Sequence, residues 1–341
     1  MLQARMLAPK QIVIEEVEKP QVKPGYVLLK IGEIGVCGSD IHVYHGKHPY
    51  TPYPVIQGHE FSAEIVALGE GVADLRRGQL VVVTPQVTCG ACYSCTHGRY
   101  NICDSLKVMG FQTDGAAREY FLVPATHIVP LPDGFERELG ALIEPVAVAV
   151  HAVRRFGDVN GLKMLILGAG PIGNLVAQVT KALGAAAVAI TDLNPFRLSI
   201  AEKCGLATAI HNGKPEDRAR LQDFLGKDGP DGILECVGHQ STMEQAITVA
   251  RKGTRIVVVG VFGDKPVVDL GLVQDRELEL IGTLMYRRED YEAAIDLVQK
   301  GLIQLRPLIS HHFPLRDYDA AYQLIDEQPE KVMKVIIHVA S

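Results

Sequence analysis

The sequence predicts an α/β protein of two domains, a β-rich first domain and a second built on a doubly wound parallel sheet. Three observations carry this. The stretch from Leu162 to Asp192 reads strand, glycine turn, helix, strand, acid. After Asp192 short apolar runs alternate with helical patterns, the mark of repeated βα units. Before Pro130 the chain breaks instead into short strand-like runs punctuated by Pro20, Pro24 and Gly25. At 341 residues it exceeds one typical core, so two domains are the natural prior.

The first of these stretches carries the most chemistry. Met164 to Leu167 is an apolar run, and Gly168-Ala169-Gly170-Pro171-Ile172-Gly173 follows at once. Ile172, Leu175, Val176 and Val179 then fall at helical spacing, and Gly184 supplies a stop. A second apolar run, Ala186 to Ile190, ends at Thr191-Asp192. Gly168 allows the tight turn, Gly170 lets a pyrophosphate approach the backbone, and Gly173 lets helix and strand pack closely. The helix N-terminus offers free N–H groups and a positive dipole end to phosphate. A carboxylate at Asp192 accepts hydrogen bonds from ribose hydroxyls and repels a 2′-phosphate, so the expected ligand is NAD rather than NADP.

In chain order, Ile12 to Ile14 and Tyr26 to Ile31 read as strands, and Cys37-Gly38-Ser39-Asp40-Ile41-His42 as a turn into a helix. Gly58-His59-Glu60 precedes a strand at Ser62 to Ala67, and Leu80 to Thr84 is a buried one. Cys89, Cys92, Cys95 and Cys103 follow, four thiols at spacings that close a tetrahedral shell around Zn²⁺. A closed shell has no open position for substrate, so this metal is structural, and its binding energy is folding energy for a lobe with little apolar core. Gly115 to Val123 and Ile128 to Pro130 return to strands. Leu139 to His151 reads as an apolar helix carrying one carboxylate, Glu144, just before Pro145. That charge is either costly and therefore paired or metal-bound, or a helix-terminus carboxylate favoured by the dipole; the residues alone weigh these evenly. Helices then alternate with strands up to Leu278–Ile281, before amphipathic helices at Tyr291 to Lys300 and Asp317 to Asp326 and a last strand at Val335 to Ile337.

Taken together and in this order, these motifs resemble the zinc-dependent medium-chain dehydrogenases, the alcohol dehydrogenase family. The run Ile143-Glu144-Pro145 to His151 is most similar to the sorbitol (polyol) branch, which includes sugar-acid dehydrogenases. The resemblance implies a GroES-like catalytic domain at 1–145 with a structural-zinc lobe at 86–104, a Rossmann domain at 146–284, and a return of 285–341 to the first. It implies a catalytic zinc on Cys37, His59 and Glu144, with Glu60 near enough to act through water or by ligand exchange. That zinc would acidify the substrate hydroxyl, the nicotinamide would take the hydride, and Ser39 and His42 would relay the proton. Pro171, Ile172, Arg197, Val237, Val259 and Val261 would join Gly168, Gly170, Gly173 and Asp192 around NAD, with the segment Val259 to Gly263 under the nicotinamide. Tyr44 and Phe111 are placed at the pocket. The branch often has Arg immediately before the tyrosine matching Tyr286, where this chain has Met285. The substrate expectation therefore stops at a secondary hydroxyl of a polyol or sugar acid.

Composition narrows the rest. A net charge of −6 gives no electrostatic reason to expect nucleic acid or an anionic membrane. No apolar run approaches a membrane span, and Met1-Leu2-Gln3-Ala4-Arg5 lacks the apolar core of a signal peptide, so the cytoplasm is expected. Seven cysteines without an export signal fit reduced thiols, four of them metal ligands. The partners expected are a small-molecule substrate and further copies of the chain, as a homodimer or homotetramer, the latter implied by the resemblance alone.

Overall fold

The computed structural model describes residues Met1–Val339, the side chain of Pro215 aside. The chain forms two compact units, one of residues 1–144 with 309–341, the other of residues 145–308. The return to the first unit therefore begins at Ile309 and not at 285. The reason lies in the helix Arg288–Gln299, which belongs to the second unit. Its buried Asp290 accepts from Arg154 at 2.6 Å and pairs with His151 Nδ1 at 2.8 Å, and Tyr291 packs edge-on to Tyr286. An amphipathic pattern shows that a helix has a buried face but not which core receives it.

The first unit is built on a seven-stranded sheet. Its order is Ile309–Pro314, Lys334–His338, Tyr26–Val36, Glu60–Leu68, Leu80–Val83 and Ile128–Pro130, with Tyr120–Pro124 also paired to Tyr26–Val36. Val27, Leu29, Ile31, Ile34, Phe61, Ala63 and Ile65 fill its core. Tyr26–Val36 is paired along both edges and buried over most of its length. The helix expected from Leu139 to His151 divides into Arg137–Gly140 and Ile143–Phe156. Pro145 fits at the third position of the second helix, where the backbone N–H has no helical partner to lose. Four strands went unread in the sequence, Leu2–Ala8, Ile309–Pro314 and the two-residue strands Gln86–Val87 and Lys107–Val108.

The second unit holds a six-stranded, wholly parallel sheet. From one edge its order is Thr208–His211, Ala187–Asp192, Lys163–Leu167, Gly232–Glu235, Arg255–Val258 and Glu279–Gly282. Met164 to Leu167 are fully buried, as a strand covered on both faces requires. The strand order reverses between Lys163–Leu167 and Gly232–Glu235, and ligands of doubly wound sheets bind at the carboxyl ends of strands at such a switch. Among the described residues no helix is long and apolar enough to cross a membrane.

Candidate metal centres and dinucleotide turn

Strand register assembles the first site. Cys37 follows directly on Tyr26–Val36 and is the N-cap of the helix Gly38–Tyr44. On one side of that strand Gly35 pairs with Glu60; on the other Val36 pairs with Val335. Cys37, His59, Glu60 and Lys334 thereby converge although the chain separates them by up to about three hundred residues. One donor atom each from Cys37, His59 and Glu60 lies within 4.8 Å of the others, close to what a single ion with bonds of about 2.0–2.3 Å gathers. Glu144, buried in the first turn of its helix, lies outside this group. Of the four residues expected around the catalytic metal, the structure brings three together, and the carboxylate among them is Glu60.

The surroundings of these donors suit a cation. His59 Nδ1 faces Asp40 Oδ1 at 3.4 Å, too poorly aligned for a hydrogen bond, and is a buried polar atom with no hydrogen-bond partner. Burial alone would lower the His59 pKa, but Asp40 and Cys37 outweigh it and raise it well above the ordinary value. Asp40 is fixed in turn: Oδ2 accepts from Cys37 N at 2.9 Å and Oδ1 from Gln57 Nε2 at 3.1 Å, and Gln57 Oε1 accepts from Tyr322 Oη at 3.0 Å. Desolvation of its sulfur, then the charge of Glu60, raise the Cys37 thiol pKa, while His59 and Lys334 oppose them. Lys334 Nζ lies 2.5 Å from Glu60 Oε2 and 3.1 Å from Val36 O. A Cβ at position 35 would stand 2.5 Å from Glu60 Oε2, so the carboxylate occupies space that only Gly35 leaves. A thiol, an imidazole and a carboxylate are donors zinc takes, and three leave a fourth position open.

The other predicted residues separate around this centre. Ser39 is half-buried and His42 exposed, three apart and so neighbours on the helix Gly38–Tyr44. Partial desolvation, then His45 and Lys47, lower the His42 pKa, which keeps the ring neutral at neutral pH. Phe111 lies against His59 with ring centroids 4.8 Å apart. Tyr44 is buried and packs against Tyr322, with ring centroids 5.2 Å apart. Asp40 and Lys334 were not assigned roles from the sequence. The signal for Asp40 was an acid three residues after an N-cap, and for Lys334 there was none.

The four-cysteine lobe is a second centre. Tetrahedral zinc with bonds of about 2.3 Å places sulfurs about 3.8 Å apart. Here Cys89–Cys95, Cys92–Cys103 and Cys89–Cys103 Sγ pairs stand at 4.0, 3.9 and 3.5 Å. These distances exclude disulfides, whose sulfurs approach to about 2.0 Å. Backbone N–H groups of Cys92 and Ser105 point at the sulfurs of Cys89 and Cys103, at 3.3 and 3.4 Å, and hydrogen bonds of this kind, from Ala91 and Cys92, lower the Cys89 pKa to about 6. The two-residue strands Gln86–Val87 and Lys107–Val108 close the lobe.

In the second unit the three glycines differ in what surrounds them. Gly168 has φ 99°, a conformation that side chains rarely adopt. A Cβ on Gly173 would lie 1.9 Å from Gly168 O, while one on Gly170 would meet no protein atom within 4 Å. Pro171 and Ile172 open the helix Pro171–Ala182, with Gly170 as N-cap. Asp192 accepts from Ala169 N at 2.7 Å and Asn194 N at 2.8 Å, with Arg197 4.0 Å away. Val237 and Val261 are exposed beyond the strands Gly232–Glu235 and Arg255–Val258, with Val259 partly buried beside them. The sequence reading passed over Glu235, whose fully buried carboxylate accepts from Val237 N and Gly238 N at 2.9 Å and Thr242 Oγ1 at 2.8 Å, fixing that turn.

Comparison with known proteins agrees with both halves. Residues 23–133 match the alcohol dehydrogenase GroES-like domain family and residues 171–300 the zinc-binding dehydrogenase family. The chain is 36% identical over 339 residues to 2-dehydro-3-deoxy-L-galactonate 5-dehydrogenase of Pseudoalteromonas atlantica, covering 99% of this chain and 98% of that protein. It is 34% identical to L-galactonate-5-dehydrogenase of Escherichia coli, over 92% of each chain. Against L-threonine 3-dehydrogenase of Vibrio parahaemolyticus identity is 32%, over 94% of each. Among solved structures, the alcohol dehydrogenase RspB of Escherichia coli in complex with NADH superposes with a TM-score of 0.92 at 32% identity, over 99% of both chains. With a GroES-like domain, a Rossmann domain and a thiol–imidazole–carboxylate cluster in one chain, the protein belongs to the zinc-binding alcohol dehydrogenase family and is an oxidoreductase acting on a CH–OH group.

Proposed function

We propose that the protein oxidises a secondary hydroxyl of a polyol or sugar acid with NAD⁺. The observation that carries this is the buried Cys37–His59–Glu60 cluster with Asp40 set behind the imidazole. Cys37, His59 and Glu60 would hold the catalytic zinc, with Glu144 as a nearby carboxylate outside the cluster, and Cys89, Cys92, Cys95 and Cys103 the structural one. Bound there, Zn²⁺ supplies the Lewis acidity that lowers the pKa of a hydroxyl. Asp40, 3.4 Å from His59 Nδ1, sets a negative charge behind the imidazole. Ser39 and His42 pass the released proton to solvent, and His42 suits this because it is neutral and exposed. Asp192 reads the adenosine ribose and favours NAD over NADP. The galactonate-type relatives support a sugar acid as the substrate class.

A threonine-type activity is the second reading, favoured by the threonine dehydrogenase match. Glu144-Pro145-Val146-Ala147 weighs against it, since the threonine branch usually carries Asp-Pro-Gly-Asn there. A homodimer or homotetramer in the cytoplasm completes the proposal, and light scattering of the purified protein tests the assembly.

A panel of sugar acids, polyols, threonine and short alcohols with NAD⁺, followed by NADH absorbance, decides the substrate class. Turnover fastest on sugar acids or polyols is the expected result; none on any hydroxy compound with zinc in place ends the proposal. Cys37→Ser is expected to abolish turnover while NADH still binds, because the metal and dinucleotide residues lie in different units. Loss of both together would mean that the division into a metal-bearing and a dinucleotide-bearing unit is wrong.

A further inference from the structure

Away from both cysteine-bearing centres, the first unit gathers a second set of mixed nitrogen and oxygen donors. Two of its members come from the C-terminal return. His312 lies on the strand Ile309–Pro314 opposite Ile336, and His338, two residues beyond Ile336, ends the neighbouring strand. Side chains two apart on a strand share a face, so the two imidazoles meet on one side of the sheet. Their rings stack with centroids 4.9 Å apart and planes 2° from parallel. Glu33 is the register partner of His338 across the antiparallel ladder, and its Oε2 lies 2.5 Å from His338 Nδ1. Glu138, carried over the sheet by the helix Arg137–Gly140, places Oε1 2.5 Å from His312 Nε2. One donor atom each of Glu138, His312 and His338 lies within 4.8 Å of the others.

We propose that His312, His338, Glu138 and Glu33 form a third metal site, for a borderline divalent cation of the zinc class. Two imidazoles and two carboxylates are donors suited to Zn²⁺, Ni²⁺ or Cu²⁺; Mg²⁺ and Ca²⁺ prefer oxygen alone. The charge also balances. Two carboxylates close enough to repel each other offset one divalent cation when both rings are neutral. Arg137 is the opposing charge nearby: it acts on Glu33, but its guanidinium reaches Glu64 at 3.6 Å. Binding would replace the two carboxylate–imidazole hydrogen bonds by coordination and turn the rings out of the parallel stack, so that one lone pair of each points at a common centre. Both rings have side-chain exposures of 44%, which keeps the site open to exchange with solvent. The ion would join four elements, tying the two C-terminal strands to Tyr26–Val36 and to the helix at Arg137.

The test is calorimetric titration of ZnCl₂ into the full-length enzyme carrying its tightly held zinc, with thermal unfolding alongside. The wild type is expected to take up one further equivalent and to gain thermal stability from it. His312→Ala and His338→Ala should each weaken that uptake at least about tenfold, as loss of even an outer-shell partner does at metal sites. Glu138→Gln, which keeps the shape and removes the charge, should weaken it as well. His311→Ala, altering the neighbouring histidine held by Ser310, should leave it unchanged. No further equivalent at millimolar zinc, or uptake that persists undiminished in both histidine variants, overturns the proposal.

Discussion

Lys334→Met tests whether the candidate metal centre is organised by a buried ion pair. The ammonium and the Glu60 carboxylate have side-chain exposures of 4% and 1% and lie 2.5 Å apart. Removing one partner of a buried pair leaves an uncompensated charge, at a cost of about 3–5 kcal/mol. The hydrogen bond from Nζ to Val36 O goes too, for about 1 kcal/mol more. Against a total stability of about 5–15 kcal/mol, the metal-free first unit should come close to unfolding. Amide hydrogen exchange on chelator-treated protein localises the effect. Protection of Tyr26–Val36 and Lys334–His338 should fall by about 4–6 kcal/mol, the sum of those two losses, while Lys163–Leu167 in the other unit holds. The double variant Lys334→Met/Glu60→Met should recover most of the loss, since replacing both partners of a buried pair by apolar residues of similar volume is often close to neutral. A single-variant loss below about 1 kcal/mol would refute the argument, as would a double variant no better than the single, because either means the charge of Glu60 is compensated elsewhere.

Four further outcomes follow from the second unit. Gly170→Ala should leave the melting temperature unchanged but weaken NADH binding at least about tenfold, because its Cβ meets open space, on the side proposed for the pyrophosphate; Gly173→Ala, whose Cβ lies 1.9 Å from Gly168 O, should cost stability as well, by about 1–3 kcal/mol. Unaltered NADH affinity in Gly170→Ala would remove the turn from the cofactor. Asp192→Ala should weaken NAD binding and relax discrimination against NADP, because it leaves the Arg197 guanidinium without its neighbouring carboxylate; a fluorescence titration with both cofactors reads this, and an unchanged preference refutes it. Burial works against ionisation of Asp290, but hydrogen bonds from His151, Arg287 N and Arg154 outweigh it and hold its pKa below the ordinary 3.8. A depressed pKa gives stability that is present above 3.8 and lost as pH falls through the folded value, so Asp290→Asn should cost about 3–5 kcal/mol at neutral pH and flatten the acid limb of an unfolding curve. An acid limb as steep as wild type would show that the group responsible is another.

What the sequence disclosed was whatever leaves a periodic or local trace. The parallel sheet was readable because strands buried on both faces are apolar runs and the helices between them keep one apolar stripe. The cysteine lobe was readable because all four thiols fall between Cys89 and Cys103, so spacing alone implies a shell. Ile309–Pro314 was missed because Ser310, His311 and His312 give it no apolar alternation, and it is a strand only because Lys334–His338 lies beside it. The assignment of residues 285–308 failed for a related reason. Asp290 looks like any solvated acid until His151 and Arg154, far earlier in the chain, close around it.

The choice between Glu60 and Glu144 as the carboxylate nearest the thiol and imidazole shows where such reading ends. Both are acids next to a motif residue, His59 in one case and Pro145 in the other, and local sequence ranks them only by resemblance. What separates them is register. Pairing of Gly35 with Glu60 sets that carboxylate two residues from Cys37 across the ladder, and the glycine leaves the space it fills. Pairing of Val36 with Val335 then delivers Lys334 from the far end of the chain to hold it. A one-residue slip of either ladder would turn these side chains to the opposite face. The composition of the candidate metal centre is therefore a consequence of strand alignment as much as of the residues themselves, and a substitution at Gly35 should disturb it without touching any of the proposed ligands.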